Sequence, residues 1–229
     1  MKQKLLLLLM MYSISTILNV AQSQNVSGRS LRVIVQEKYP NGNVFVGCAA
    51  HSTLKKPNPE LTNILNREFN YVTPANDFKQ ITIHPEPNTW NWTLVDQWAK
   101  ETKLHGQVIR AHCPISPQCS NWAKEDNRTK EELLQNLEEY MTEQCKRYAK
   151  IENIHWMDVV NETIDKDGNW FGPKEGTDKW ENPWTIIGFD SDSDKTPLYI
   201  SKAFEISNRE VPNIKQLINE HALTDASVE

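Results

Sequence analysis

The residues best suited to chemistry lie at 156–162, where the sequence reads Trp-Met-Asp-Val-Val-Asn-Glu. An apolar strand that ends in Glu162 places this carboxyl beside hydrophobic walls, which disfavour its ionised form and suit it to general acid catalysis. Structural carboxylates are also common at strand ends, where they cap a turn or pair with a lysine. The residue types alone therefore leave both roles open for Glu162.

Similar polar side chains follow two other apolar runs. Asn76 and Lys79 come after the apolar run at 69–73, and Arg110 and His112 come at the end of the run at 106–111. Taken alone, His112 is more typical of a hydrogen-bonded structural histidine, and Lys79 of a solvated surface charge. Only their order along the chain indicates a shared site.

The elements that must position these residues alternate between strand and helix. Helical periodicity separates the apolar runs, and Asn58 before Pro59 and Thr129 before Glu132 are helix start signals. This alternation predicts an α/β fold with a parallel sheet, because each crossover must return across the sheet face. The five predicted strands lie at 43–50, 69–73, 106–111, 154–160 and 213–219.

Two architectures fit the α/β class, an open doubly wound sheet and a closed (β/α)8 TIM barrel. The open sheet typically binds a nucleotide at a Gly-rich turn, and residues 47–51, Gly-Cys-Ala-Ala-His, contain no such turn. In a barrel, functional groups lie just past the carboxyl ends of the strands, where polar clusters occur here. The barrel is therefore favoured. A complete barrel typically takes ~250 residues, so we expect this one to be truncated after about the fifth strand.

Residues 1–23 have the composition of a signal peptide. Lys2 and Lys4 precede a mostly apolar run, and small residues follow at 21–23. The run is short for a transmembrane span, so we expect a secreted or periplasmic protein without membrane attachment after cleavage. The net charge is -5, and loss of Lys2 and Lys4 makes it -7. Without a basic tract, this charge argues against nucleic acid as a partner.

Four cysteines, Cys48, Cys113, Cys119 and Cys145, would lie in an oxidising compartment. Cys113 and Cys119 are close in sequence and are the expected pair, although spacing does not fix the connectivity. The sequence has no Cys-x-x-Cys and its histidines lack zinc spacing, so no metal site is predicted.

The segment at 156–162 resembles the Trp-Asp-Val-Val-Asn-Glu signature of family 10 glycoside hydrolases. The resemblance implies that Glu162 is the catalytic acid/base and that Asn161 contacts the sugar at the cleavage point. The segment at 69–79 resembles the second-strand motif of this family, which implies that Asn76 and Lys79 bind sugar on the nonreducing side.

Further matches follow in the order of the family. Arg-Ala-His at 110–112 resembles the Arg-Gly-His of the third strand, which implies that His112 contacts the same sugar. Trp122 resembles the tryptophan that closes the following loop, which implies a substrate contact, and residues 217–219 resemble the end of the fifth strand. The resemblance runs from about Val44 to about His221. It implies a retaining endo-1,4-β-xylanase that needs no cofactor and acts on xylan or a related polysaccharide.

Three departures from the family bear on the substrate. Ala75 stands where the family usually has Glu, and Gln80 where it often has Trp. Residues 113–117, Cys-Pro-Ile-Ser-Pro, replace Thr-Leu-Val-Trp-His. Because these changes alter contacts to the sugar next to the cleaved bond, another β-linked glycan is an alternative to xylan.

Retention of configuration requires a second carboxylate, which the family places on its seventh strand. Residues 24–229 contain no segment that resembles it. We therefore expect a partial family 10 catalytic domain that is inactive alone. The alternative is a non-catalytic glycan-binding protein derived from such a barrel.

Overall fold

The computed structural model describes residues 28–42, 44–51, 54–124, 129–165, 167–172, 183–191 and 195–221. Within them, five strands form one sheet in the order of the sequence, and every neighbouring pair is parallel. The predicted α/β class is confirmed. The strands are β1 Gly47–Ala49, β2 Tyr71–Thr73, β3 Val108–Ile115, β4 Ile154–Asn161 and β5 Lys215–Asn219.

The described part of the chain also contains helices that precede and connect the strands. Two short 3-10 helices span Ala75–Phe78 and Pro183–Ile187. The α-helices are α1 Leu31–Lys38, α2 Pro59–Glu68, α3 Gln80–Ile83, α4 Thr93–Leu104, α5 Asn121–Lys124, α6 Lys130–Tyr148 and α7 Leu198–Glu210.

Side-chain caps fix the starts of α2 and α6. Asn58 Oδ1 accepts from the backbone N–H groups of Glu60 and Leu61, at 3.0 and 3.2 Å. At α6, Thr129 Oγ1 accepts from Glu132 N at 3.3 Å, and Glu132 Oε2 accepts from Thr129 N at 2.8 Å. Such caps satisfy backbone donors that the first turn leaves unpaired. Both predicted helix starts are confirmed.

The helices cover one face of the sheet, and the hydrophobic core lies between them. In β3, Ile109 and Ala111 are fully buried, whereas Arg110 and His112 are partly exposed. Successive strand residues point to opposite faces, so the odd-numbered side chains of β3 face the helices and Arg110 and His112 face away. Leu137 of α6 belongs to the same core.

The face of the sheet opposite the helices carries aromatic side chains. Trp156 in β4 is the register partner of Arg110 in β3 and of Lys215 in β5. Its ring centroid lies 5.1 Å from the ring centroids of Tyr71 and of Phe45, in edge-on contact with both. In the described chain β1 and β5 are the outer strands. The sheet is therefore open, with five of the eight strands that a closed TIM barrel requires.

The expected disulfide between Cys113 and Cys119 is a wrong prediction, since the structure holds both residues as thiols. The sequence places Cys113 in a loop, but β3 continues to Ile115 and turns the Cys113 side chain into the core. There the thiol hydrogen-bonds with Ser116. Strand geometry thus fixes Cys113 in the core.

The predicted signal peptide, residues 1–23, lies outside the described residues and stays a prediction. Among the helices that the structure describes, none combines the length and the apolar character needed to span a membrane.

Candidate active site

Glu162 directly follows β4 at the carboxyl edge of the sheet. Its φ is 57°, in the left-handed region that non-glycine residues rarely adopt. The Glu162 N–H donates to the Asn219 carbonyl oxygen at 2.9 Å, which joins the end of β4 to the end of β5. Such a backbone conformation costs about 1–3 kcal/mol and is concentrated at functional sites. The backbone therefore marks Glu162 as a candidate functional residue.

The carboxyl group of Glu162 is partly buried, with 19% of the side-chain surface exposed. Its Oε1 lies 4.0 Å from Nδ1 of His221. Its Oε2 is buried, and no group in the described part of the chain hydrogen-bonds to it. Because this oxygen has no described protein partner, it is able to exchange a proton with a bound ligand.

Asn161, the last residue of β4, is 1% exposed. Its Oδ1 accepts from Asn219 Nδ2 at 2.7 Å, which fixes the orientation of the amide. Its Nδ2 is buried and has no hydrogen-bond acceptor among the described residues. An unmatched buried donor costs about 1–3 kcal/mol, so a ligand oxygen that accepts from Nδ2 would remove this cost.

Asp158 is the buried charge of the site, with no exposed surface. Arg110 Nε donates to both of its carboxylate oxygens, at 2.8 and 2.9 Å, and His112 Nδ1 lies 2.7 Å from Oδ2. Since a carboxylate only accepts, His112 carries a proton on Nδ1 and directs Nε2 elsewhere. Burial disfavours the charged guanidinium, but the hydrogen bond and charge of Asp158 outweigh burial and raise the pKa of Arg110.

Asn219, at the end of β5, connects these groups. Arg110 Nη2 donates to Asn219 Oδ1 at 2.8 Å, and Asn219 Nδ2 donates to Asn161. The result is one hydrogen-bonded cluster that ends beside Glu162. We call it the β3–β5 polar network, and it consists of His112, Asp158, Arg110, Asn219 and Asn161.

Lys79 is 5% exposed, and its Nζ donates to Gln118 Oε1 in the loop after β3. The interpretation of Lys79 as a solvated surface charge is therefore wrong. The Cys113 thiol lies within electrostatic range of Lys79, Asp158 and Glu162. Burial is the main cause that raises the pKa of Cys113 to about 12, while Lys79 lowers it and the two carboxylates raise it. These interactions place Lys79 near the acidic part of the site.

Asn76 lies in the 3-10 helix after β2, and its side chain is exposed. Its carbonyl oxygen accepts from Lys79 N at 3.3 Å and from Thr82 Oγ1 at 3.0 Å. The preceding residue, Ala75, has φ 43°. The turn therefore holds the backbone of Asn76 and leaves its amide open to a ligand.

Trp122 lies apart from the β3–β5 polar network. Its Nε1 donates to the His84 carbonyl oxygen at 3.1 Å, and its ring meets the His84 ring edge-on at 5.0 Å. The β3–β5 polar network thus joins His112 to Asn161, the residue before Glu162, whereas Trp122 lies in an aromatic cluster with His84. The predicted sugar contact of Trp122 stays a prediction.

Sequence reasoning missed two acidic residues. Asp158 has a recognisable signal, because a carboxylate within an apolar strand must have buried partners. Glu220 was not identified as a site residue, yet its Oε1 accepts from Thr163 N at 2.6 Å. It thereby fixes the backbone next to Glu162, which spacing along the chain does not reveal.

Comparisons with known proteins identify the family of the chain. The model of Glycosyl hydrolase family 10 matches residues 35–228. The endo-1,4-beta-xylanase/feruloyl esterase of Xylanibacter ruminicola is 30% identical over 173 residues, which are 73% of this chain and 23% of that protein. The beta-1,4-xylanase of Dictyoglomus thermophilum is 27% identical over 222 residues, which are 96% of this chain and 55% of that protein.

Solved structures extend the likeness to the fold. Xylanase 10B of Thermotoga petrophila, in complex with xylobiose, gives a TM-score of 0.68 at 26% identity and covers 85% of this chain and 54% of that chain. The native xylanase 10B of Thermotoga maritima gives 0.67 at 26% identity, with 83% and 53% covered. These relatives are TIM barrels, and this chain spans about half of their length. The prediction of a partial barrel is confirmed. The matched residues, the five parallel strands and the end of β4 together show that the chain belongs to glycosyl hydrolase family 10.

Proposed function

We propose that the protein is an exported glycoside hydrolase of the endo-1,4-β-xylanase type, with Glu162 as its acid/base. The observation that carries this proposal is the carboxyl of Glu162, which has an open buried oxygen beside the β3–β5 polar network at the carboxyl end of a family 10 sheet. Carboxyl ends of strands hold the active sites of TIM-barrel enzymes. Xylan is the proposed substrate, because the relatives are named as xylanases.

In the proposed reaction, Glu162 protonates the glycosidic oxygen and then deprotonates the water that releases the sugar. Asn161 Nδ2 donates to a sugar hydroxyl, and His112 Nε2 accepts from one, because the ring carries its proton on Nδ1. Asp158 holds His112 in position and is itself paired with Arg110. Lys79 and the open amide of Asn76 bind the adjoining sugar. No cofactor is needed, because proton transfer and attack by a carboxylate complete the reaction.

Retention of configuration needs a nucleophilic carboxylate about 5–5.5 Å from the acid. Asp158 is a poor candidate, because Arg110 and His112 occupy its oxygens. Glu220 Oε1 accepts from Thr163, whereas its Oε2 has no partner among the described residues, but Glu220 follows the fifth strand and not the seventh. We therefore propose that residues 24–229 form the half of the catalytic domain that supplies the acid/base, and that this half does not hydrolyse xylan alone.

The test measures hydrolysis of xylan by the protein expressed from the full-length gene. Mixed-linkage β-glucan is the alternative substrate. Glu162→Gln should lower kcat on xylan by about 10²–10⁴-fold, as expected for loss of a general acid/base. The anomeric signal of the first product, followed by NMR, should show the configuration of the substrate. A Glu162→Gln variant that retains full activity would contradict the assignment.

A non-catalytic glycan-binding protein is the second candidate, favoured by the engagement of both oxygens of Asp158. This candidate predicts retention of the complete protein on insoluble xylan without release of reducing sugar. Release of xylo-oligosaccharides excludes it.

A further inference from the structure

A second depression, of about 590 Å³, lies between α6 and the loop at 84–90. Its walls combine aromatic rings with carboxylates and an amide, a lining that the proposed hydrolysis does not use. We call it the α6 depression, and the residues that bear on its chemistry are His84, Trp90, Trp122, Asn136, Glu139 and Glu143.

The α6 depression lies on the helix side of the sheet. Tyr140 of α6 forms part of its wall, is 1% exposed, and donates from its hydroxyl to the Pro114 carbonyl oxygen at 2.9 Å. Tyr140 belongs to the core that faces Ile109 and Ala111 of β3. His112 and Arg110 project from the opposite face of this strand. The sheet therefore separates the α6 depression from the β3–β5 polar network.

The aromatic wall is held in place before any ligand binds. The His84 ring stacks on Trp90, with centroids 4.3 Å apart and planes at 10°, and Trp90 stacks on Trp92 at 5.1 Å and 8°. His84 Nδ1 hydrogen-bonds with the Thr89 carbonyl oxygen at 2.7 Å, and Trp122 Nε1 donates to the His84 carbonyl oxygen. A preformed wall binds a ligand without the cost of ordering its side chains.

The polar wall offers both hydrogen-bond acceptors and a donor. Glu139 Oε1 accepts from Gln135 at 2.9 Å, and Glu143 Oε1 lies 3.7 Å from Lys146 Nζ. A carboxylate has about four acceptor positions, so both retain capacity. Asn136 Nδ2 is a buried donor to which the described residues supply no acceptor. A ligand that both donates and accepts hydrogen bonds matches this wall.

Trp90 offers no free ring face to a cation. A cation binds the face of an aromatic ring, and Trp90 uses its faces to stack on His84 and Trp92. The remaining ring edges and apolar surfaces offer van der Waals contact to a sugar ring, so the hydrogen-bonding groups of the polar wall must select the ligand. Vicinal hydroxyls of a sugar both donate to carboxylates and accept from an amide.

We propose that the α6 depression binds a pyranose unit of a neutral polysaccharide, as a glycan-binding site separate from Glu162. Such a site would hold the polymer near the barrel without taking part in bond cleavage. This inference goes beyond the proposed function and does not depend on hydrolysis.

The test is an NMR titration of the chain with xylohexaose and, in a second arm, cellohexaose, following the indole N–H signal of Trp122. All variants, and the reference protein, carry Asn76→Ala, which weakens sugar binding beside Glu162. Glu139→Gln combined with Glu143→Gln should raise the Kd at the Trp122 signal by at least about fivefold, because two charged acceptors are lost. Asn136→Ala should act in the same direction.

Glu138→Gln is the matched control, because Glu138 is next to Glu139 in α6 but pairs with Arg209 of α7. It should leave the Kd unchanged. A Trp122 signal that does not move at saturating sugar, or an unchanged Kd in the double variant, overturns the proposal. So does a Trp122 signal that responds to tetramethylammonium and to neither sugar. Full activity of the Glu162→Gln variant with this binding intact contradicts only the proposed function.

Discussion

Arg110 and Asp158 form a forked ion pair in which Arg110 Nε lies 2.8 and 2.9 Å from the two oxygens of a fully buried carboxylate. The pair joins neighbouring strands β3 and β4. It also fixes two groups that carry the proposed chemistry, since Asp158 orients His112 and Arg110 orients Asn219. The position of the proposed sugar-binding groups therefore depends on a charge pair that no ligand needs to contact.

Asp158→Asn should lower the free energy of unfolding by up to about 3–5 kcal/mol, because it removes the carboxylate partner of Arg110, whose side chain is only 25% exposed. Urea denaturation at neutral pH measures the effect. The double variant Asp158→Asn with Arg110→Met should be more stable than the single variant, since it removes the unpaired charge as well. Equal free energies of unfolding for the two variants would show that Asp158 and Arg110 do not interact energetically.

Leu137→Ala should lower the free energy of unfolding by about 2–5 kcal/mol, because Leu137 is fully buried between α6 and the sheet. The matched control is Leu134→Ala on the same helix, where the side chain is 37% exposed. That variant should change stability by less than about 1 kcal/mol. Similar losses in both variants would contradict the observed face of α6.

The stability of the protein should fall as the pH is lowered below about 6.5, the pKa of an unperturbed histidine. Burial lowers the pKa of His84, although its hydrogen bond to Thr89 opposes this shift. The unfolded chain then binds more protons than the native chain between the folded pKa and about 6.5, which favours unfolding in that window. Above it, both states are neutral at His84 and the effect is absent.

His84→Gln should therefore flatten the pH dependence of the urea midpoint between pH 5 and about 6.5. His155→Gln serves as the control, because the His155 side chain is exposed. An unchanged slope in the His84 variant would assign the acid sensitivity to other groups.

All four cysteines should titrate with Ellman's reagent after unfolding without reductant, because the structure contains thiols at these positions. In the native protein Cys48 should react first, since it is partly exposed and the other three are buried. Burial raises the pKa of Cys113 to about 12 and of Cys145 to about 11, which leaves little reactive thiolate at neutral pH. Only two reactive thiols in the unfolded, unreduced chain would indicate a disulfide after all.

Short-range patterns predicted the elements and the end of β4. The helix starts at Pro59 and Lys130 follow from Asn58 and Thr129, whose capping contacts reach only two or three residues along the chain. Glu162 was identified because its apolar strand and its family motif are continuous in sequence. Such features depend on near neighbours in the chain, so the sequence alone determines them.

Contacts between distant residues were decided only by the tertiary structure. The register of β3 against β4 places His112 opposite Asp158 and Arg110 opposite Trp156, so that both β3 side chains reach Asp158. The extension of β3 to Ile115 turns Cys113 into the core. Packing of the loops after β2 and β3 buries Lys79 against Gln118 and places Trp122 on His84. Local propensity does not encode strand register or loop packing, because both depend on which distant groups can bury their surface and satisfy their hydrogen bonds together.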